Sequence, residues 1–173
     1  MRNTVLSIIA IFSFITSVYT QPLKSTDDRI KTSTVVPNLS DANSGWQKVG
    51  EQRGTLFAVE YKGQQLVVQG SQAYYVNAKD NMKAYVYSKT DTNGKSEEVG
   101  MLYGTDNVAR GAVKVDGKWY ASKELYFDNG QQNPKGWIDI EMGYDEHEKD
   151  KPVKVKCVLE TVEGKKEVVM DLK

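Results

Sequence analysis

Apolar and polar residues alternate through Val153 to Leu172 on both sides of Glu163-Gly164. Alternation with period two marks strands that bury one face. With Glu163-Gly164 as a two-residue hairpin loop, Val162 stands opposite Lys165, and pairing runs outward through Thr161/Lys166, Leu159/Val168, Cys157/Met170 and Val155/Leu172. One face of this expected hairpin is nearly all apolar. The other sets Lys156 against Asp171, which attract, and Glu160 against Glu167, which repel. A slip of one residue would bring Glu167 opposite Leu159 on the buried face, so the pattern prefers the first register even though Glu suits the opening position of a type I′ turn poorly.

The same logic recurs upstream. Thr55 to Tyr61 and Gln64 to Gln69 flank Lys62-Gly63 and place Phe57, Val59, Tyr61, Leu66 and Val68 on one face. Ala73 to Asn77 follows, then Lys83 to Ser88, in which Tyr85 and Tyr87 share one face and Ala84 and Val86 the other. An Asn93-Gly94 turn precedes Glu97 to Tyr103. Asp116-Gly117 marks another hairpin, whose register groups Val113, Val115 and Tyr120 and leaves Trp119 with Lys114, facing outward. Leu125 to Phe127 and Trp137 to Met142 come before the final hairpin. About ten short runs divided by turn signals, with no amphipathic helix, predict an all-β domain: an antiparallel β-sandwich, jelly-roll or immunoglobulin-like, with a closed β-barrel as the alternative.

The ends of the chain set its organisation. Arg2 precedes an apolar run from Val5 to Val18 broken only by Ser7, Ser13, Thr16 and Ser17. This reads as a signal peptide over residues 1–20, cut near Thr20/Gln21, and it is short of the about 20 apolar residues that a membrane span requires. Residues 21–45 are rich in Ser, Thr, Asp, Lys and Pro and read as a flexible arm, leaving residues 46–173 as one β-rich domain. The arm carries the sequon Asn38-Leu39-Ser40, a glycosylation site if the host is a eukaryote. Lys and Arg number 23 and so do Asp and Glu, so nothing favours a nucleic-acid partner or an anionic membrane. Cys157 is the single cysteine, which excludes an intrachain disulfide; the expected register turns its thiol inward as a small apolar group.

Chemistry-bearing motifs are few. Trp137-Ile138-Asp139-Ile140-Glu141-Met142 resembles the catalytic strand of the laminarinase-type glycoside hydrolases, which reads Glu, apolar, Asp, apolar, Glu within a jelly roll. The resemblance implies Asp139 as the assisting carboxylate and Glu141 as the acid/base, but Trp137 stands where that family has its nucleophile. Gly117-Lys118-Trp119-Tyr120 resembles the opening strand of lipocalins, which implies a barrel carrying a small ligand. The acidic run Glu141, Asp145, Glu146, Glu148, Asp150 is interleaved with His147, Lys149 and Lys151 and lacks the ligand spacing of a calcium loop. His147 is the only histidine and has no neighbouring cysteine or second histidine with which to hold zinc. No metal or other cofactor is therefore expected. Tyrosines and tryptophans are the remaining signal, since their rigid amphipathic rings suit sugar faces and protein interfaces. Trp119 and Trp137 are the candidate binding residues. The expectation is an exported, non-enzymatic module binding an extracellular glycan or protein, with a hydrolase using Asp139 and Glu141, or a lipocalin-like carrier, as alternatives.

Overall fold

The computed structural model describes residue 39 and residues 42–104, 108–124, 126–127 and 137–173. The expected signal peptide, Asn38 and Leu125 lie outside the described residues. A short 3-10 turn, Ala42–Ser44, leads into ten strands: β1 (Gln47–Tyr61), β2 (Gln64–Asn77), β3 (Met82–Thr90), β4 (Ser96–Tyr103), β5 (Val108–Val115), β6 (Lys118–Ala121), β7 (Tyr126–Phe127), β8 (Asp139–Tyr144), β9 (Pro152–Thr161) and β10 (Gly164–Asp171). Strands β1 to β6 form one antiparallel sheet in chain order, and β7 pairs with the other end of β5; β8, β9 and β10 form a second. From β1 to β6, and again from β8 to β10, each strand pairs with its successor, so both runs are meanders.

The two sheets make the predicted sandwich. Phe57, Val59, Val68, Val99, Met101 and Val113 on the inner face of the large sheet share one core with Val155, Cys157, Leu159, Val168 and Met170 of the small sheet. Along β9 and β10 these small-sheet positions recur every second residue, as burial of one face demands. Backbone bonds tie the layers together at two places. Ser122 bridges to Thr161 and Lys123 N donates to Glu160 O at 3.0 Å, while Val67 and Lys173 exchange bonds of 2.9 and 3.0 Å. The sheets do not merge into a closed barrel: among the described strands β1 pairs only with β2 and β6 only with β5. The closed-barrel alternative is thereby corrected.

A second core lies on the outer face of the large sheet, where Leu39 and Trp46 join Ala84, Val86, Leu102, Ala112, Trp119 and Ala121. Leu39, assigned by composition to the arm, is buried.

Two hairpins have the expected register. Lys62 and Gly63 take φ of 48° and 76°, Asp116 and Gly117 φ of 51° and 77°, so each pair closes a two-residue turn. The C-terminal hairpin differs. Thr161 pairs with Gly164, which moves the loop to Val162-Glu163 and gives Cys157/Val168 and Val155/Met170. Only Gly164 has positive φ there, 91°, so glycine takes the left-handed position and Glu163 is spared it. Thr161 Oγ1 supports the turn by donating to Gly164 O at 2.7 Å and accepting from Glu163 N at 3.2 Å. The shift preserves the inward face, replaces the Glu160/Glu167 conflict by Glu160/Lys165, and sets Lys154 against Asp171. A further difference is that Gln64 to Gln69 and Ala73 to Asn77 are one strand, β2, running unbroken through Gly70.

Candidate functional site

Tyrosines occupy the inner face of the large sheet beside the main core. Register sets Tyr74 opposite Tyr85, and Tyr85 opposite Met101, so these share a face; two residues along, Gln52, Gln72, Tyr87 and Val99 form the next row. The Tyr74 and Tyr85 rings stack with centroids 5.0 Å apart and planes at 24°, and Tyr85 meets Tyr103 edge-on at 5.8 Å. Both geometries are favoured by the ring quadrupoles. All three rings are half-buried. In the next row Gln52 Nε2 donates to Gln72 Oε1 at 3.2 Å, leaving further amide donor and acceptor capacity. Burial, then the neighbouring Tyr74, raises the pKa of Tyr85. Burial, then Tyr85, pushes Tyr87 up to about 12. These phenols are neutral donors at physiological pH.

Tyr87 also lines an apolar recess with Leu56, Phe57, Trp137, Ile140 and Cys157. A bulge between Thr55 and Phe57 makes Leu56 an extra residue in β1, which brings Leu56 and Phe57 into the same recess. Glycine at position 70 is what admits Leu56: a Cβ there would lie 2.5 Å from Leu56 Cδ1 and 2.3 Å from Ser88 O. The void in this recess is only about 20 Å³. That is room for one water, whereas small-molecule pockets run to hundreds of Å³. The recess thus gives no support to the carrier reading, and its use is to hold Trp137 half-buried on the core beside Tyr87.

The sequence-predicted residues fall in separate places. Trp137 lies beside Tyr87. Trp119 faces away from Val113 and Tyr120, as its register requires, but it is only 5% exposed because it lies across Gly100 in the outer-face core. Its expected outward exposure is corrected, and a contact surface cannot use it. Asp139 and Glu141 are exposed on the small sheet, on the face opposite Ile140 and Cys157; Glu141 lies 3.7 Å from Lys165 Nζ. Neither lines the recess, so the hydrolase reading gains no support.

The acidic loop is occupied by the protein itself. Asp145 Oδ1 accepts from the backbone N–H groups of His147 and Glu148 at 2.8 and 2.9 Å, which lowers its pKa. Glu148 receives Lys62 Nζ at 2.6 Å and Tyr61 OH at 2.8 Å, docking the loop on the β1/β2 turn. His147 is exposed. Among the described residues no group of three His, Cys, Asp or Glu is arranged to hold a metal, and no helix is long and apolar enough to cross a membrane.

Gln52 and Gln72 were not singled out by sequence reasoning, and Tyr74, Tyr85 and Tyr103 stood only among the aromatics in general, not as a site. The alternation placing Tyr85 and Tyr87 on one face was visible, but their assembly with Tyr74 and Tyr103 depends on the β2/β3 and β3/β4 registers. No protein family, curated protein or solved structure matches the chain.

Proposed function

We propose that the chain is an exported, non-enzymatic binding module that recognises an extracellular glycan on the inner face of its large sheet. The observation that carries the reading is the half-buried tyrosine row Tyr74, Tyr85 and Tyr103, with Gln52 and Gln72 in the adjoining row and Trp137 beside Tyr87. Sugars present C–H faces and hydroxyl edges together. Aromatic rings match the first, and amides and phenol hydroxyls match the second. Rings already held by one another lose little entropy on binding. Export rests on the charged residue and apolar run before Gln21 and is checked by N-terminal sequencing of the secreted chain.

A glycan array, followed by calorimetry on any hit, tests the reading. Tyr85→Ala, which removes the central ring of the row, is expected to weaken the hit by about 2 kcal/mol, roughly thirtyfold. Trp119→Phe, on the opposite face, is expected to leave the affinity unchanged. Equal affinity of Tyr85→Ala and the wild type, or no glycan bound at all, would overturn the assignment.

A further inference from the structure

Strand β1 is the outer edge of the large sheet, paired with β2 on one side and with no described strand on the other. Its first nine residues, 47–55, are exposed on both faces. An edge of this length is a template for another strand unless something blunts it. Register shifts blunt it only at the ends, between Lys48 and Gly50 and between Thr55 and Phe57, and the pairing is regular from Gly50 to Thr55. Two glycines lie in that regular stretch. Neither Gly50 nor Gly54 takes positive φ, and a Cβ on either would meet nothing within 4 Å. Among the described residues no atom fills the space that a side chain would take at either position, and glycine in a strand leaves room for close approach by another backbone.

We propose that this edge pairs antiparallel with β1 of a second copy of the chain, about a two-fold axis at Gln52, so that two large sheets become one. Charge and symmetry select that register. In a two-fold antiparallel pair the numbers of opposed residues have a constant sum, and opposed residues both turn their N–H and C=O groups toward the partner or both away. That orientation alternates along a strand, so opposed residues share parity and the axis passes through a residue. An axis at Glu51 sets Glu51 against the partner's Glu51; one at Arg53 opposes two arginines. Like charges directly opposite are destabilising. An axis at Gly50 sets Val49 against the partner's Glu51 and forms no ion pair. The axis at Gln52 sets Glu51 against the partner's Arg53 twice, Gly50 against the partner's Gly54 twice, and one Gln52 amide against the other. Lys48, then Ser71, hold the Glu51 carboxyl below its ordinary pKa, so it is charged when the partner's Arg53 arrives. Gln52 shares its face with Gln72 and Tyr87, so the dimer would set two inner faces side by side.

Cysteine cross-linking of the purified protein reads the register. Gln52→Cys is opposite itself, within disulfide reach, and is expected to give a reducible dimer under mild oxidation. Gly54→Cys is opposite the partner's Gly50 and is expected to remain uncross-linked. Cys157, being buried, does not interfere. In sedimentation equilibrium the wild type is expected to dimerise reversibly, and Glu51→Arg or Arg53→Glu to weaken the dimer by roughly tenfold or more through like-charge opposition. The double variant is expected to restore it. A wild type that stays monomeric at millimolar concentration, single variants as dimeric as the wild type, or cross-linking of Gly54→Cys as efficient as that of Gln52→Cys would each overturn the proposal.

Discussion

Trp119 lies across Gly100, where an added Cβ would sit 3.5 Å from the indole, and shares its core with Ala112 and Ala121. Small side chains on adjacent strands thus make the seat for one large ring. Lys114, ion-paired with Glu98, extends over the same indole at 5.9 Å from its centroid. Trp119→Ala is expected to cost about 3 to 5 kcal/mol, as loss of a buried aromatic does. A thermal melt beside the wild type checks this; an unchanged melting temperature would mean that the ring is in solvent. The pairing of Trp119 with Lys114 was legible from the Asp116-Gly117 turn, because that turn fixes the local register. Burial was not. It comes with a core that also takes in Leu39 and Trp46, which lie far away in sequence and within or next to a stretch whose composition reads as an arm. The same holds for Tyr74 and Tyr85, whose stacking needs a register that no turn signal between β2 and β3 specifies.

Strands and hairpins show why turn chemistry is easier to read than strand length. Lys62-Gly63 and Asp116-Gly117 were legible because each supplies two residues able to adopt positive φ. Glu163-Gly164 misled because a glycine in a loop can be its second central residue or, as here, the residue after a turn. Gly70 misled differently: with Ser71 and Gln72 it read as a gap between strands, yet in β2 it accommodates Leu56 from the bulge and the carbonyl of Ser88. Gly70→Ala is accordingly expected to destabilise the protein by about 1 to 3 kcal/mol, in the range of overpacked cores. Adding Leu56→Ala should recover only part of the loss, since the Ser88 carbonyl belongs to the backbone and cannot rotate away. Chemical denaturation of the two variants measures this. Full recovery in the double variant would show that the Leu56 side chain was the whole obstacle.

At the scale of the molecule, alternation and turns announced an all-β sandwich, but its closure by Ser122 with Thr161 and Lys173 with Val67 could not be read from local pattern. Two ionisable groups packed in the core so enclosed make the fold sensitive to base. Cys157 is fully buried, and burial pushes its thiol up to about 12 from an ordinary 9.0. Tyr87 is pushed up to about 12 from 10.0, by burial and then by Tyr85. Above pH 9.0 the unfolded chain therefore releases a thiol proton that the folded chain retains. Stability from this source is complete below that pH and is lost as pH rises toward 12, at roughly 1.4 kcal/mol per pH unit for one proton. Tyr87 steepens the loss above 10.0. The denaturant midpoint is expected to be level near neutrality and to fall from about pH 9.0 upward. Cys157→Ser separates the two groups: it should cost about 1 to 3 kcal/mol at neutral pH by burying a hydroxyl, while delaying the alkaline fall until Tyr87 begins to titrate in the unfolded chain near pH 10.0. A wild-type midpoint that stays level through pH 11, about two units above the ordinary thiol value, would show that Cys157 meets water and that the two sheets do not seal the core between them.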